Sequence, residues 1–168
     1  MAVVKELMVL ALFVLSANAF SWKNCGSNNV VKFLDVRVSP NPIRLTKGSR
    51  ITFSGRIGVY GNAGVRYKIN VKLQKKAWFR ITVPCSGNFG SCTYNLDCQK
   101  LVGLHPDGNK QCPLQQGEHS LASQTLTVPS INLPSFLTSG EYYIKADLRE
   151  EGSNRRIACA EVELRTIS

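Results

Sequence analysis

The stretch that decides the fold is VRYKINVKLQ, from Val65 to Gln74. Valine, tyrosine, isoleucine and leucine occupy every second position of this stretch, and arginine, lysine, asparagine and glutamine occupy the positions between them. Successive side chains of an extended strand point to opposite faces. The pattern therefore predicts a β-strand with one buried face and one face in water.

The same alternation recurs along the chain, which indicates several short strands. It predicts strands at residues 33–38, 51–57, 79–83, 124–128, 142–148 and 158–164. Turn sequences such as SPNP at residues 39–42 and YGNAG at residues 60–64 separate them. Seven or eight such strands predict an all-β fold, an antiparallel sandwich or cup. An immunoglobulin domain is disfavoured, because its cysteines join two central strands, whereas Cys25 and Cys159 lie near the two ends of the chain.

The N-terminus has the three parts of a secretory signal peptide. Lys5 precedes an apolar run at residues 7–15, and Ala17 and Ala19 supply small residues before a cleavage site. The run is shorter than the ~20 residues that a membrane-spanning helix needs. We therefore predict a signal peptide at residues 1–19, a single domain at residues 20–168, and a secreted or luminal protein that could also reside in the lysosome.

The six cysteines predict three disulfides, because their number is even and the predicted compartment is oxidising. Fifteen pairings are possible for six cysteines, and their spacing does not choose among them. A zinc site that includes His105 or His119 is the alternative. It is disfavoured because the chain has no CxxC pair and no HxxxH spacing.

Charge is concentrated in one part of the chain. The net charge is +10, and eleven lysines and arginines but no acidic residue lie between Asp35 and Asp97. Such a segment attracts anionic lipid headgroups, sialylated glycans or nucleic acid, or it is an ordinary solvated strand face. Nucleic acid is the least favoured partner, because no RNA-binding motif is present. The predicted docking residues for an anionic membrane are Arg66, Lys68, Lys72, Lys75, Lys76 and Arg80.

The alternation disappears between Cys85 and Gly117, which predicts a long functional insertion held by disulfides. Within it we predict one short helix at residues 95–104. The two histidines lie in no recognisable nucleophile or metal motif, and no carboxylate pair stands out. The sequence therefore favours a binding protein over an enzyme and indicates no cofactor.

The segment SINLPSFLTSGEYYI, residues 130–144, places Leu133, Phe136 and Leu137 among turn residues. Two interpretations are open. The apolar side chains could anchor a loop to the core, or they could form an exposed apolar lip that contacts lipid or a partner. The segment alone favours the first interpretation.

Four stretches carry a resemblance to a known family: FSWKNC, VPCSGNFGSCTYNLDC, CPLQQGEHSL and LPSFLTSG. Together they resemble the MD-2-related lipid-recognition (ML) family, and within it the ganglioside-activator branch. The resemblance covers essentially all of residues 20–168. The chain departs from that branch in having six cysteines instead of eight, and Phe136 where the branch has tryptophan.

The resemblance implies a β-cup whose two sheets enclose an apolar cavity for acyl chains. It also implies the disulfides Cys25–Cys159, Cys85–Cys92 and Cys98–Cys112. It favours the lipid-contact interpretation of the segment around Phe136. The implied lipid-binding or rim residues are Val59, Tyr60, Leu101, Val102, Leu104, Leu133, Phe136 and Leu137.

The function that the resemblance implies is lipid transfer without catalysis. Each methylene that leaves hydrocarbon for water costs about 0.8 kcal/mol, so a two-chain lipid scarcely leaves a bilayer unaided. A cup could lift a glycolipid or phospholipid from the membrane and present it to a β-hexosaminidase-like glycosidase. The alternatives are an extracellular lipid- or glycan-recognition protein in immune or chemical signalling, and a cryptic hydrolase.

Overall fold

The computed structural model describes residues 20–86, 89–103, 111–128 and 134–167. Its strands are β1 (Phe20–Asn24), β2 (Val31–Ser39), β3 (Ile43–Arg44), β4 (Arg50–Val59), β5 (Arg66–Lys76), β6 (Arg80–Thr82), β7 (Thr93–Asp97), β8 (Gly117–Thr127), β9 (Gly140–Glu150) and β10 (Arg156–Ile167). One α-helix, α1 (Cys98–Val102), and one 3₁₀ helix (Ser135–Leu137) accompany them. The predicted all-β class is confirmed. None of the described helices is long and apolar enough to cross a membrane.

Two sheets form the domain. The larger sheet has the order β1-β10-β9-β5-β6, with β7 also pairing with β5 and β3 pairing with β10. The smaller sheet has the order β2-β4-β8. All pairings are antiparallel except that of β3 with β10. The strand β5, which contains the stretch Val65 to Gln74 almost entirely, lies inside the larger sheet and runs its full height.

The segment after Cys85, in which we predicted no strand, contains one in the structure. Residues 93–97 form β7, which pairs with β5 from Arg66 to Asn70, so the prediction of no strand there was wrong. The helix predicted at residues 95–104 is confirmed only for Cys98–Val102, and Leu104 lies outside the described residues. The helix begins there because the Asp97 side chain accepts a hydrogen bond from the backbone N–H of Lys100 (2.8 Å). A five-residue edge strand is too short for its alternation to stand out.

The two sheets pack together at one end of the domain, which we call the closed end. Its buried cluster takes residues from both sheets and from the segments between them: Val31, Ile57, Val59, Ala63, Tyr67, Cys98, Val102, Ile157 and Ala158. This cluster is the part of the domain that resembles the core of a filled β-sandwich.

The opposite end, which we call the open end, has a different composition. Its buried cluster consists of Leu73, Val83, Leu137 and Tyr142, with Leu45, Phe89, Ile144 and Leu164 packed against them. These residues belong to the larger sheet and to segments outside the strands. No residue of β2, β4 or β8 belongs to this cluster as far as the described chain extends. Among the described residues, the two sheets therefore share a buried core only at the closed end.

Three disulfides hold the domain. They join Cys25 to Cys159, Cys85 to Cys92 and Cys98 to Cys112, which are the pairings that the resemblance implies. All six cysteines are bonded, so none is available as a thiolate ligand for zinc. The Cys98–Cys112 bridge lies in the closed-end cluster and ties α1 to the segment before β8.

Candidate functional site

The inner wall of the domain is apolar and incompletely buried. On β5, Tyr67 and Leu73 are buried, whereas Ile69 and Val71 lie between them on the same face and are only half-buried. In a filled sandwich the middle of a central strand is its most deeply buried part. The reverse order on β5 indicates open space between the sheets.

The inner face of the smaller sheet is also incompletely buried, and its exposure increases towards the open end. On the inner face of β4, Ile57 and Val59 are buried at the closed end, while Ile51 and Phe53 near the open end are half-buried. Leu126 of β8 pairs with Ile51 and shares its face, yet 58% of its surface is exposed. Apolar surface on facing strands is thus accessible from the open end, which is the geometry of a cup.

One side of the cup mouth is formed by residues 134–139, which we call the rim segment. Phe136 is 56% exposed, and the next residue, Leu137, is buried against Leu73, Val83 and Tyr142. The two interpretations from the sequence, a loop anchored to the core and an exposed apolar lip, therefore each describe one residue. Leu137 anchors the segment to the core, and Phe136 presents an apolar ring to solvent.

Side chains from three strands of the larger sheet hold the rim segment by its carbonyl groups. The Lys75 ammonium donates to the carbonyls of Phe136 and Ser139, and the Tyr142 hydroxyl donates to the carbonyl of Leu137. Thr166 donates to the carbonyls of Thr138 and Gly140 (3.4 and 3.3 Å). Burial raises the pKa of the Tyr142 phenol, which keeps this donor protonated.

An aromatic turn lies at the same end and was missed by the sequence reasoning. Residues 77–79 connect β5 to β6, and within them Trp78 is fully exposed and Phe79 is 71% exposed. We call these three residues the aromatic turn. The prediction treated Phe79 as the start of a strand and gave Trp78 no role. The available signal was a pair of aromatic residues flanked by cations in the sequence KKAWFR.

Cations surround the open end. Lys76 pairs with Glu163 (3.0 Å) and Glu141 (3.7 Å), and the guanidinium of Arg80 stacks on the ring of Tyr143 at 4.1 Å. Lys47 and Arg50, which the sequence reasoning did not select, lie in the turn before β4 and at its first residue. Neither of these two forms an ion pair with another residue in the described ranges.

The six predicted docking cations do not lie together. All but Arg80 lie on β5, which runs from the closed end to the open end, so they are spread along the height of the cup. Arg66 lies at the closed end and approaches Glu151 (3.9 Å), while Lys68 and Lys72 lie on the outer face midway. Lys75, Lys76 and Arg80 lie at the open end.

The predicted rim residues are also divided between the two ends. Val59 and Val102 are buried in the closed-end cluster with Leu101 packed against it, and Tyr60 follows them as an exposed residue at the same end. The structure therefore does not bring them to the end that carries Phe136, because β4 runs away from the cup mouth towards Val59. Leu104 and Leu133 lie outside the described residues.

The side chains that could hold a metal are scattered among the described residues. The imidazole of His119 lies with its Nε2 atom 2.8 Å from the carbonyl oxygen of Gln115, and His105 lies outside the described residues. In the part of the chain that the structure describes, no three His, Cys, Asp or Glu side chains come together in a way that could hold a metal.

A disulfide-held β-cup with an apolar inner wall, open at one end, is the architecture of a lipid-binding fold. A model of the protein family described as the ML domain matches residues 19–166 of the chain. The chain belongs to the ML domain family.

Two relatives share less than 30% of their residues with this chain. The ganglioside GM2 activator of Mus musculus is 28% identical over 158 residues, covering 85% of this chain and 79% of the relative. The ganglioside GM2 activator of Macaca fascicularis is 29% identical over 160 residues, covering 86% and 81%. A solved Niemann-Pick type C2 protein from Japanese carpenter ant matches 88% of this chain and 99% of its own at a TM-score of 0.51 and 19% identity. That last similarity supports the fold alone.

Proposed function

We propose that this protein binds the acyl chains of a lipid inside the cup, transfers the lipid between membranes, and leaves the headgroup outside for another protein to reach. Its ligand is a glycolipid or a phospholipid. Two relatives are named ganglioside GM2 activators, which supports a glycolipid as ligand. The partner that we propose is a soluble glycosidase of the β-hexosaminidase type. The three disulfides support a secreted or luminal location, with the lysosome as one such compartment.

The observation that carries this proposal is the composition of the open end. Trp78, Phe79, Phe136 and Leu126 expose apolar surface there, next to the accessible inner wall. Exposed aromatic and aliphatic side chains gathered at one end of a monomer are typical of a membrane contact. Lys47, Arg50 and Arg80 at the same end add attraction to an anionic bilayer surface.

This arrangement explains how a lipid could leave the bilayer without passing through water. If the aromatic turn and Phe136 enter the interface, the cup mouth faces the acyl chains directly. Each chain then exchanges one apolar environment for another, and the cost of about 0.8 kcal/mol per methylene is avoided. No catalytic residue is required for this step.

Transfer of a fluorescent phospholipid between vesicles tests the proposal. We expect Trp78→Ser and Phe136→Ser each to lower the transfer rate roughly tenfold, since each removes a large apolar side chain from the membrane contact. Tyr60→Ser is the matched control, because Tyr60 is an aromatic residue at the closed end that is about as exposed as Phe136. Equal rates in all three variants and the wild type would contradict the proposed orientation.

The proposed glycosidase partner requires a separate assay. A purified β-hexosaminidase should hydrolyse vesicle-bound ganglioside faster when this protein is added. If the protein transfers lipid but leaves hydrolysis unchanged, the partner assignment is wrong and an extracellular recognition role without an enzyme is favoured. Hydrolysis by this protein alone would instead identify it as an enzyme.

A further inference from the structure

Lys75 is a cation on the inner wall of the cup. The inward-facing positions before it on β5 are Tyr67, Ile69, Val71 and Leu73. Lys75 continues that alternation and pairs across the sheet with Tyr142, a residue of the open-end core. The chain thus places a lysine where the pattern of β5 calls for an apolar residue, directly at the cup mouth.

The Lys75 side chain is built into the rim. Its ammonium donates to the carbonyl oxygens of Phe136 and Ser139, the second at 2.6 Å. Gly140 leaves room for it, since a Cβ atom at Gly140 would lie 3.1 Å from Cε of Lys75. The backbone of Gly140 also has a φ of +123°, which residues with a side chain rarely adopt. The side chain of Lys75 and the absence of a side chain at Gly140 therefore together allow the contact between Lys75 and the rim segment.

Among the side chains that hold the rim segment, Lys75 is the one that a solute can reach. Tyr142 and Thr166 are 3% and 2% exposed, whereas Lys75 is half-buried. Within the described ranges Lys75 forms no ion pair with a carboxylate. A full negative charge attracts an ammonium more strongly than a carbonyl dipole does. An oxyanion that arrives at the mouth can therefore compete with the two carbonyls for Lys75.

We propose that Lys75 is a positioning residue that makes the rim segment respond to an oxyanion on the lipid, either a phosphate or the carboxylate of a sialylated headgroup. The oxyanion takes the ammonium from the carbonyls of Phe136 and Ser139, and the rim segment, released at these two points, moves aside for the acyl chains. A neutral headgroup leaves the contact in place. Lipids with an acidic headgroup are thereby selected. This inference rests on the proposed entry of lipid beside Phe136.

Hydrogen exchange of the lipid-free protein tests the contact itself. We expect the amides of residues 135–139 to exchange about tenfold faster in Lys75→Met than in the wild type, because a charge-assisted contact is lost. Lys75→Arg, which keeps the charge, should restore slow exchange in part. Lys72→Met is the matched control, since Lys72 lies on the same strand but on the outer face. Unchanged exchange in Lys75→Met would overturn the proposal.

Soluble headgroups test the response to an oxyanion and distinguish its two sources. Glycerol 3-phosphate represents a phospholipid and sialyllactose represents a ganglioside, with glycerol and lactose as neutral controls at matched ionic strength. We expect at least one acidic probe to speed amide exchange at residues 135–139 in the wild type and to have no effect in Lys75→Met. The proposal is wrong if neither acidic probe speeds exchange in the wild type. It is also wrong if the acidic probes speed exchange in Lys75→Met as much as in the wild type.

Vesicle transfer separates this proposal from simple electrostatic docking. In Lys75→Met we expect transfer from neutral vesicles to rise and the preference for anionic vesicles to fall towards one. A lysine that merely attracted membranes would leave transfer from neutral vesicles unchanged, and that result would overturn the proposal. Failure of the wild type to transfer any lipid would refute the proposed function, while the exchange experiments would still decide the role of Lys75.

Discussion

At the residue scale, Asp147 organises the outer face of the larger sheet near the closed end. Its carboxylate receives two hydrogen bonds from the Arg156 guanidinium, both at 2.9 Å, and a further two from Arg149 at 3.1 and 3.3 Å. The hydrogen bonds from Arg156 lower the pKa of Asp147; burial opposes them, and Arg149 adds to the lowering. One carboxylate thus compensates two arginines on neighbouring strands.

We expect Asp147→Asn to lower the free energy of unfolding by about 2 kcal/mol at neutral pH, because two partly buried guanidiniums lose their counter-charge. A lowered pKa in the folded state means that the carboxylate stabilises the fold above its unfolded pKa of about 3.9 and loses this effect as the pH falls through the folded value. The difference between variant and wild type should therefore shrink below about pH 4. Urea unfolding at a series of pH values measures it, and a pH-independent difference would contradict this account.

At the element scale, β4 connects the filled and the accessible parts of the domain. Val59 at its end is buried among residues of both sheets, whereas Ile51 near its start shares its face with the exposed Leu126. The same strand therefore contributes to folding at one end and, under the proposed function, to lipid binding at the other.

Alanine substitutions along β4 test this division. Val59→Ala should lower the free energy of unfolding by about 2 kcal/mol, because it leaves a cavity in a packed cluster. Ile51→Ala should cost about 1 kcal/mol or less, although it removes more carbon, since its side chain is already accessible to water. Denaturant unfolding of the lipid-free protein measures both. A cost for Ile51→Ala equal to or above that of Val59→Ala would mean that the space between the sheets is filled.

The sequence could predict the strands but not which end of each strand lies at the cup mouth. Alternation identified β5 because the ten residues from Val65 to Gln74 repeat one pattern, whereas β1, β3 and β7 are short edge strands whose pairing depends on their neighbours. In the sequence, Phe136 and Val59 are both apolar residues beside turns, and nothing distinguishes their positions. Their opposite placement follows from strand direction and register, which a single sequence does not state. The alternation of β5 gives Lys75 an inward position, but only the fold shows that Lys75 contacts the rim segment.

At the scale of the whole molecule, an incompletely filled domain has less buried apolar surface to oppose the conformational entropy of its chain. Native domains retain only about 5–15 kcal/mol of net stability. The Cys25–Cys159 bridge joins residues 134 positions apart, from the start of the described chain to β10 at the closed end. In the chain-entropy model such a loop contributes about 5 kcal/mol. The bridge is therefore a large share of what keeps the cup folded when it holds no ligand.

We expect the double variant Cys25→Ala with Cys159→Ala to lose about 5 kcal/mol of unfolding free energy. The matched control is Cys85→Ala with Cys92→Ala, whose bridge spans only seven positions near the β6 edge of the larger sheet and should contribute about 2 kcal/mol. Urea unfolding of the lipid-free proteins measures both. Equal losses would show that loop length is not what makes the long bridge stabilising. Because a ligand that binds only the folded state adds stability by mass action, anionic lipid should partly restore the first variant.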